Sequence, residues 1–379
     1  MMFSPRIFVV LAALTLGAGP TRAEDADWRD CKQEQDRDLE IHGCSRILAR
    51  GDAETSQNRA IAYNNRGVAY SAKGDKDRAI ADYDHAIRLN PNLADAYNNR
   101  GLAYFVKGDN DRAIADCDHA IRINPNYAVA YFIRGLVYFA KGDKDRAIAD
   151  YDHAIRLNPN FVDAYCWRGG VYSAKGDKDR AIADYDQAIR INPNYADAYY
   201  VRGIAYSAKG DKDRAIADYD QAISLNPNYA LAYYWRGRAY SAKGDKDRAI
   251  ADHTKAIELD PNYVDAYYNR GLAYFAKGDN DRAIADYTKA IELDPKNANY
   301  YNARAWAYFK WGKAAEGLPD AEKSLELRPN DPYTLDTRGN IFEALGRREE
   351  AIADFRRALS KNPNLQGSKD ALARLGAAP

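Results

Sequence analysis

Three histidines recur at a fixed spacing, and histidines arranged in this way are candidate metal ligands. His85, His119 and His153 follow one another at equal intervals, and His253 lies elsewhere in its own repeat. Neighbouring helices lie about 8–10 Å apart, whereas zinc–nitrogen bonds are about 2 Å long, and no carboxylate or thiol joins the row in a cluster. The sequence therefore predicts solvated surface histidines, no metal site and no cofactor. The alternative is a metal-dependent or enzymatic protein that uses this row.

Other patterns that carry chemistry are missing from the sequence. It contains no P-loop, no glycine-rich strand-to-helix turn, no C-x-x-C and no H-E-x-x-H. The 55 basic residues balance the 55 acidic ones, so no excess charge favours nucleic acid or an anionic membrane. The sequence predicts a non-enzymatic protein with no catalytic residue and no nucleic-acid partner.

The segment 1–23 differs from the rest of the chain. Arg6 precedes an apolar stretch from Ile7 to Leu16, and Thr21-Arg22-Ala23 follows. This pattern resembles a secretory signal peptide cleaved after Ala23. The stretch is too short to span a bilayer, which needs about 20 apolar residues. We expect a periplasmic or secreted mature protein that is not inserted in a membrane.

Two of the four cysteines, Cys31 and Cys44, lie close to this leader. On one continuous helix they would be about 20 Å apart, too far to form a bond. A turn at residues 35–38 between antiparallel segments would bring them level. Export favours a disulfide between them; the alternative is two unpaired thiols. Cys117 stands where other repeats have tyrosine and is predicted to be a buried thiol.

One sequence unit recurs nine times without insertion, and the last copy ends at Leu365. The copies begin at Ala60, Ala94, Ala128, Val162, Ala196, Ala230, Val264, Ala298 and Pro332. The constant interval between these starting residues is typical of a solenoid, in which each unit buries its apolar face against its neighbours. We predict a signal peptide at 1–23, an N-terminal capping segment with the cysteine pair at 24–59, the repeats at 60–365, and a C-terminal capping helix and tail at 366–379.

Each repeat has the pattern of a helix, a tight turn and a second helix. In the second copy the pattern is Tyr97-x2-Arg100-Gly101-x2-Tyr104, then Ala113-x3-Cys117, Ala120 and Pro125. This pattern resembles the tetratricopeptide repeat (TPR). The resemblance implies an all-α right-handed superhelix, or TPR solenoid, with a concave surface lined by the first helix of each repeat. It also implies binding of proteins or peptides without catalysis.

One departure from the family pattern is systematic. All nine repeats have Arg directly before the glycine position, where the family usually has Leu. All nine also have an Asp that follows this Arg at the same separation along the chain, as Asp116 follows Arg100. In an antiparallel helix pair these residues lie at the same height. We predict Arg–Asp ion pairs within or between repeats; the alternative is an incidental residue copied by duplication.

The first helices also carry a variable stripe next to the packing face. By resemblance this stripe lines the concave groove, and its candidate partner-binding residues are Phe105, Phe132, Leu136, Phe139, Trp167, Tyr200, Tyr234, Trp235, Arg238, Tyr268, Phe275, Trp306 and Phe309. Asp95, Asp163, Asp197 and Asp265 are expected to form an acidic rim. The stripe predicts a scaffold that binds a protein or peptide with an apolar or aromatic segment. The alternative is that these side chains pack between successive first helices.

Two further expectations concern the second helices. Their outer face changes from Arg88, Arg122, Arg156 and Arg190 to Glu258, Glu292 and Glu326. Because the early and late outer faces carry opposite charges, a self-assembling structural array is a further alternative. The sequence does not predict the oligomeric state. In the eighth repeat Pro319 is predicted to delay the start of the second helix, because proline disrupts a helix interior.

Overall fold

The computed structural model of the protein describes residues 25–33 and 35–378. The predicted signal peptide therefore lies outside the described residues. Across the described part of the chain there are 21 α-helices and one 3₁₀ turn, with no strand. This confirms the predicted all-α class. The chain divides into two compact units at Pro159/Asn160, and each is described separately.

The N-terminal unit contains a two-helix cap followed by three complete helix pairs. Its helices are α1 (Ala26–Lys32), α2 (Arg37–Ala49), α3 (Ser56–Ala72), α4 (Lys76–Leu89), α5 (Ala94–Val106), α6 (Asn110–Ile123), α7 (Ala128–Ala140) and α8 (Lys144–Leu157), with the 3₁₀ turn at Gly51–Ala53.

The C-terminal unit contains six helix pairs and a final short helix. Its helices are α9 (Val162–Ala174), α10 (Lys178–Ile191), α11 (Ala196–Ala208), α12 (Lys212–Leu225), α13 (Ala230–Lys243), α14 (Lys246–Leu259), α15 (Val264–Ala276), α16 (Asn280–Leu293), α17 (Ala298–Lys310), α18 (Ala314–Leu327), α19 (Pro332–Ala344), α20 (Arg348–Lys361) and α21 (Gln366–Arg374).

The turn within each pair follows from a glycine and an aspartate. After α5, Gly108 adopts φ 83°, a conformation that glycine tolerates best. Asp109 then caps α6 by accepting a hydrogen bond from the Arg112 backbone N–H at 3.1 Å. The two helices approach closely at a second glycine: a Cβ on Gly135 would lie 2.7 Å from Cε1 of the buried Tyr151 ring. These local signals produce the predicted helix-turn-helix repeat.

Short helices outside the repeats pack on the first and on the last helix pair. Helices α1 and α2 run on either side of a turn and are joined by the Cys31–Cys44 disulfide, which is present and fully buried. Cys117 is a fully buried free thiol, as predicted. At the other end, α21 buries Ala371 and Leu372 against the last helix pair.

The eighth repeat contradicts one expectation. Helix α18 begins at Ala314, so Pro319 lies inside it rather than at its start. A Cβ on Gly317 would lie 2.8 Å from the Ala305 carbonyl oxygen, so the small residue has moved from the first helix to the second. Ala321 replaces the usual ring, which leaves space for the Ala305 methyl group.

The predicted Arg–Asp pairs are present in all nine repeats. In each pair the guanidinium donates two hydrogen bonds to the two carboxylate oxygens, at 2.6–2.9 Å. The pairs are Arg66–Asp82, Arg100–Asp116, Arg134–Asp150, Arg168–Asp184, Arg202–Asp218, Arg236–Asp252, Arg270–Asp286, Arg304–Asp320 and Arg338–Asp354. Every one of these aspartates is buried.

A third donor of the same arginines reaches the preceding repeat. Within the N-terminal unit, Nη1 of Arg134 donates to Asp118 at 2.5 Å. Within the C-terminal unit, Arg202 and Arg236 donate to Asp186 and Asp220 at 2.6 Å. In the later repeats a threonine hydroxyl takes this place, as for Arg304 and Thr288. We call these connected contacts the Arg–Asp ladder; it joins helices within a repeat and between repeats.

A double-mutant cycle on Arg134 and Asp150 tests the ladder. Each single change to alanine should lower the free energy of unfolding by about 3 kcal/mol, because it leaves a buried charge without its partner. The double change should cost clearly less than the sum of the two, as measured by chemical denaturation. Additive single effects would mean that the pair contributes no coupling.

Candidate partner-binding groove

The first helices of the C-terminal unit bring tyrosines together in close pairs. Tyr200 packs on Tyr229 with ring centroids 5.1 Å apart, and Tyr234 packs on Tyr263 at 4.8 Å. Tyr268 packs on a residue of the next first helix, Tyr300, at 5.0 Å. In each pair the stripe residue lies at the fifth position of its helix. The pairs therefore form a row of aromatic rings along successive first helices.

Trp235 and Arg238 lie beside this row on α13. The Arg238 guanidinium carbon is 4.6 Å from the Trp235 ring centroid and 5.9 Å from that of Tyr234. A cation at such a distance is attracted by the face of an aromatic ring. Asn269 Nδ2 donates to the Tyr234 hydroxyl at 3.3 Å. The structure thus brings together three of the predicted groove residues, Tyr234, Trp235 and the exposed Arg238.

A second aromatic and basic group lies on α17. The rings of Trp306 and Phe309 are 5.1 Å apart. Lys310 Nζ lies 4.6 Å from the Trp306 centroid and 5.4 Å from that of Phe309. The stripe predicted from the sequence includes the two aromatic residues but not Lys310. The signal was available, because the other repeats have Ala, or Val in one case, at that position.

The predicted groove residues differ in their exposure. Three of them, Phe132, Leu136 and Tyr234, are buried, so they contribute packing between helices rather than an open surface. Arg238 is exposed. The others are half-buried: Phe105, Phe139, Trp167, Tyr200, Trp235, Tyr268, Phe275, Trp306 and Phe309. Packing between helices therefore accounts for three members of the stripe, and the other ten keep side-chain surface that is accessible to solvent.

The expected acidic rim is largely occupied by contacts within the protein. The Tyr127 hydroxyl donates to Asp95 at 2.6 Å, and the Tyr195 hydroxyl donates to Asp163 at 2.7 Å; Tyr229 donates to Asp197 in the same way. Each bond joins the last residue of a repeat to its first helix. Asp265 is exposed, because its repeat ends in Asn297 instead of tyrosine. These bonds are not predicted from the sequence pattern, because their partners lie at opposite ends of a repeat.

The histidine row has a structural role. His85, His119 and His153 stack on Tyr63, Tyr97 and Tyr131, with centroids 4.2–5.2 Å apart. Within the described residues, no group of three or more His, Cys, Asp or Glu side chains could hold a metal ion. The histidines thus take part in ring stacking at the surface of the N-terminal unit.

The outer-face charges of the later repeats are paired on their own helices. Lys255 binds Glu258 at 3.1 Å, and the corresponding Lys–Glu pairs of α16 and α18 are 3.0 Å and 2.8 Å long. The charge of each of these glutamates is therefore partly neutralised by a lysine of the same helix. This weakens the case for head-to-tail assembly driven by the charge difference between early and late repeats.

His253 is different from the other histidines, since it replaces the tyrosine that packs under the helix crossing. It is fully buried, and neither ring nitrogen has a hydrogen-bond partner in the described residues. Burial, with Arg270 and Arg238 nearby, lowers the pKa of His253 to about 3. The ring is therefore held neutral against α13.

Sequence profiles of one family match most of the chain. Profiles described as "Tetratricopeptide repeat" match residues 60–93, 94–127, 196–229, 264–297, 218–251, 286–318 and 332–365. A profile described as "TPR repeat" matches residues 135–176, 171–210 and 237–278. The chain belongs to the tetratricopeptide-repeat family. No match was found among curated proteins.

Several solved structures are similar to parts of this chain. MamA is 36% identical over 44% of this chain and 97% of its own, with a TM-score of 0.40. YrrB, described as a TPR protein with an unusual peptide-binding site, is 26% identical over 51% and 96%, with a TM-score of 0.39. The Cut9–Hcn1 hetero-tetramer of APC/C is 16% identical over 89% and 83%, with a TM-score of 0.52; this likeness concerns the fold alone. Among the described residues, no helix is long and apolar enough to cross a membrane.

His253 generates a prediction about pH. Its pKa is lower in the folded than in the unfolded chain, where it is about 6.5, so stability is full above that value and falls as the pH drops towards 3. The loss approaches about 1.4 kcal/mol per pH unit. Changing His253→Tyr, the residue of five other repeats, should remove this part of the acid sensitivity in denaturant titrations.

The reverse exchange is the matched control. Tyr219→His at the same position of the fifth repeat should introduce a loss of stability over the same pH range. If His253→Tyr leaves the dependence of stability on pH between 6.5 and about 4 unchanged, His253 does not titrate as the burial requires.

Proposed function

We propose that this chain, as a member of the tetratricopeptide-repeat family, is a non-enzymatic scaffold that binds a segment of a partner protein in its C-terminal unit. Members of the family generally mediate protein–protein interactions and are generally not enzymes. The observation that carries the proposal is the half-buried aromatic surface of Tyr200, Trp235 and Tyr268, with the exposed Arg238 beside it.

The arrangement suits binding because it is both apolar and ordered. Aromatic residues and arginine are the residues in which binding energy is usually concentrated. Here the rings are fixed by one another, so little side-chain entropy remains to be lost when a partner binds. The repeated scaffold does not require an indole at these positions, since the equivalents of Trp235 include Asn99, Val201 and Ala303.

Two half-buried tryptophans provide the test. Trp235→Ala with Trp306→Ala should weaken partner binding by about 2 kcal/mol or more, while the circular dichroism spectrum stays that of the wild type. The partner is first obtained by affinity capture from native cells and identified, and its binding is then measured by calorimetry. Tyr234 is left intact, because its burial makes it part of the fold.

The control removes the histidine row of the N-terminal unit. His85→Ala, His119→Ala and His153→Ala together should leave binding unchanged. If this triple variant loses the partner while the tryptophan variant keeps it, the outer face carries the function and the groove does not.

We also propose that the protein is exported and acts in the periplasm or outside the cell. The sequence pattern of residues 1–23 supports this, and the buried Cys31–Cys44 disulfide is the kind of bond that persists in oxidising compartments.

Export predicts a mature chain that begins at Glu24, as measured by N-terminal sequencing of protein purified from its native cell. Peptide mapping without reductant should recover Cys31 and Cys44 in one cross-linked peptide. A chain that retains Met1, with both thiols free to react with an alkylating reagent, would contradict the proposal.

A further inference from the structure

Arg238 and Lys310 differ from the ladder arginines and from three lysines at the ends of first helices in the C-terminal unit. The arginines of the ladder bind aspartates, and Lys209, Lys243 and Lys277 each bind an aspartate of the preceding repeat. Arg238 and Lys310 instead lie over Trp235 and Trp306. Among the described residues, neither has a carboxylate partner within 4 Å. Each is a cation held on an aromatic ring and available to an anion.

The two cations lie on one stripe. Arg238 is the ninth residue of α13, Leu272 is the ninth of α15, and Trp306 is the ninth of α17. Lys310 follows Trp306 by four residues, and residues four apart share a helix face. Leu272 is 39% exposed and so offers an apolar surface at this position. Along successive first helices the stripe therefore presents the cation of Arg238, the apolar side chain of Leu272, and the Trp306 ring with the cation of Lys310.

We propose that this stripe binds an extended acidic and hydrophobic segment of a partner protein, with one carboxylate on Arg238, a second on Lys310, and an apolar side chain between them on Leu272. The inference rests on the proposed function and specifies the chemistry of its partner. Two aspartates at the starts of first helices in this unit, Asp163 and Asp197, already accept hydrogen bonds from tyrosines of the protein itself.

The spacing of the two carboxylates follows from the helices. Neighbouring packed helices lie about 8–10 Å apart, so first helices two repeats apart place Arg238 and Lys310 roughly 20 Å from each other. An extended peptide advances about 3.3 Å per residue. The segment should therefore carry acidic residues about six positions apart, with leucine, phenylalanine or similar residues between them.

Charge complementarity selects this occupant over the alternatives. A basic segment would face two unpaired cations, and a purely apolar one would leave their charges without a counter-ion beside it. Arginine and lysine attract side-chain carboxylates as charge-assisted hydrogen-bond partners. A terminal carboxylate is not required by this geometry, since both anions are side chains within the segment.

A peptide library tests the inference without knowledge of the natural partner. The probe is a display library with about twelve randomised residues, long enough for both carboxylates at about 3.3 Å per residue, carried inside a coat protein so that no free carboxyl terminus is present. Selection on the wild-type protein should enrich sequences with two Asp or Glu residues about six positions apart and apolar residues between them. Selection on Arg238→Glu with Lys310→Glu should enrich Lys and Arg at those positions instead.

An enriched sequence is then made as an end-blocked synthetic peptide and titrated by fluorescence anisotropy. Replacing its two acidic residues with Gln and Asn should raise the Kd about tenfold or more, and the charge-reversed protein should lose the preference for the acidic form. The matched control is Arg190→Glu with Lys361→Glu, two exposed cations outside the first helices, which should bind the acidic peptide as the wild type does.

The outcomes separate this inference from the proposed function. Enrichment of apolar or basic sequences, or of the same sequences on the charge-reversed protein, would overturn the inference and leave peptide binding in place. A selection that enriches nothing from the library would count against both.

Discussion

Most of this structure depends on a half-buried arginine, such as Arg202, that donates hydrogen bonds to three acceptor atoms. Its two bonds to the aspartate of its own repeat fix the two helices of a pair at one height, and its third bond fixes the preceding repeat. The guanidinium suits this position because it offers five donors in a planar fork and stays charged. Burial raises the pKa of Asp150 and Asp218, and the paired guanidinium opposes that shift. Each aspartate therefore needs its arginine, and each repeat needs its neighbour.

The ladder and the other repeated contacts leave one surface free to vary. Glycine–tyrosine packing fixes the inner side of each pair, Lys–Asp bonds join the turn edges of successive repeats, and tyrosine hydroxyls tie the end of a repeat to its start. The stripe on the first helices takes part in few of these contacts. Arg238, Leu272 and Trp306 therefore occupy equivalent positions with three different chemistries, and a difference of this kind is what a partner can recognise.

Much of this arrangement could be predicted from the sequence, because repetition shows the same choice nine times. The period established the helix pairs, and the constant separation of Arg and Asp predicted their contact. Features that exist once were harder to predict. The exchange of Ala305 and Gly317 depends on a close approach of two backbones, and the proline pattern alone did not predict that α18 begins at Ala314 with Pro319 inside it. The tyrosine–aspartate bonds and the place of Lys310 beside Trp306 depend on side-chain geometry, which periodicity does not specify.

The central claim is that one arginine stabilises two repeats at once, and hydrogen exchange on the Arg202→Leu variant tests it most directly. Leucine is the residue that the family usually has at this position, so the change keeps a side chain there that can pack and removes the donors together with the positive charge. We expect faster exchange in α12, which carries Asp218, and also in α10, which carries Asp186, with α16 unchanged. Faster exchange confined to α12, or none at all, would contradict the claim that the ladder couples neighbouring repeats.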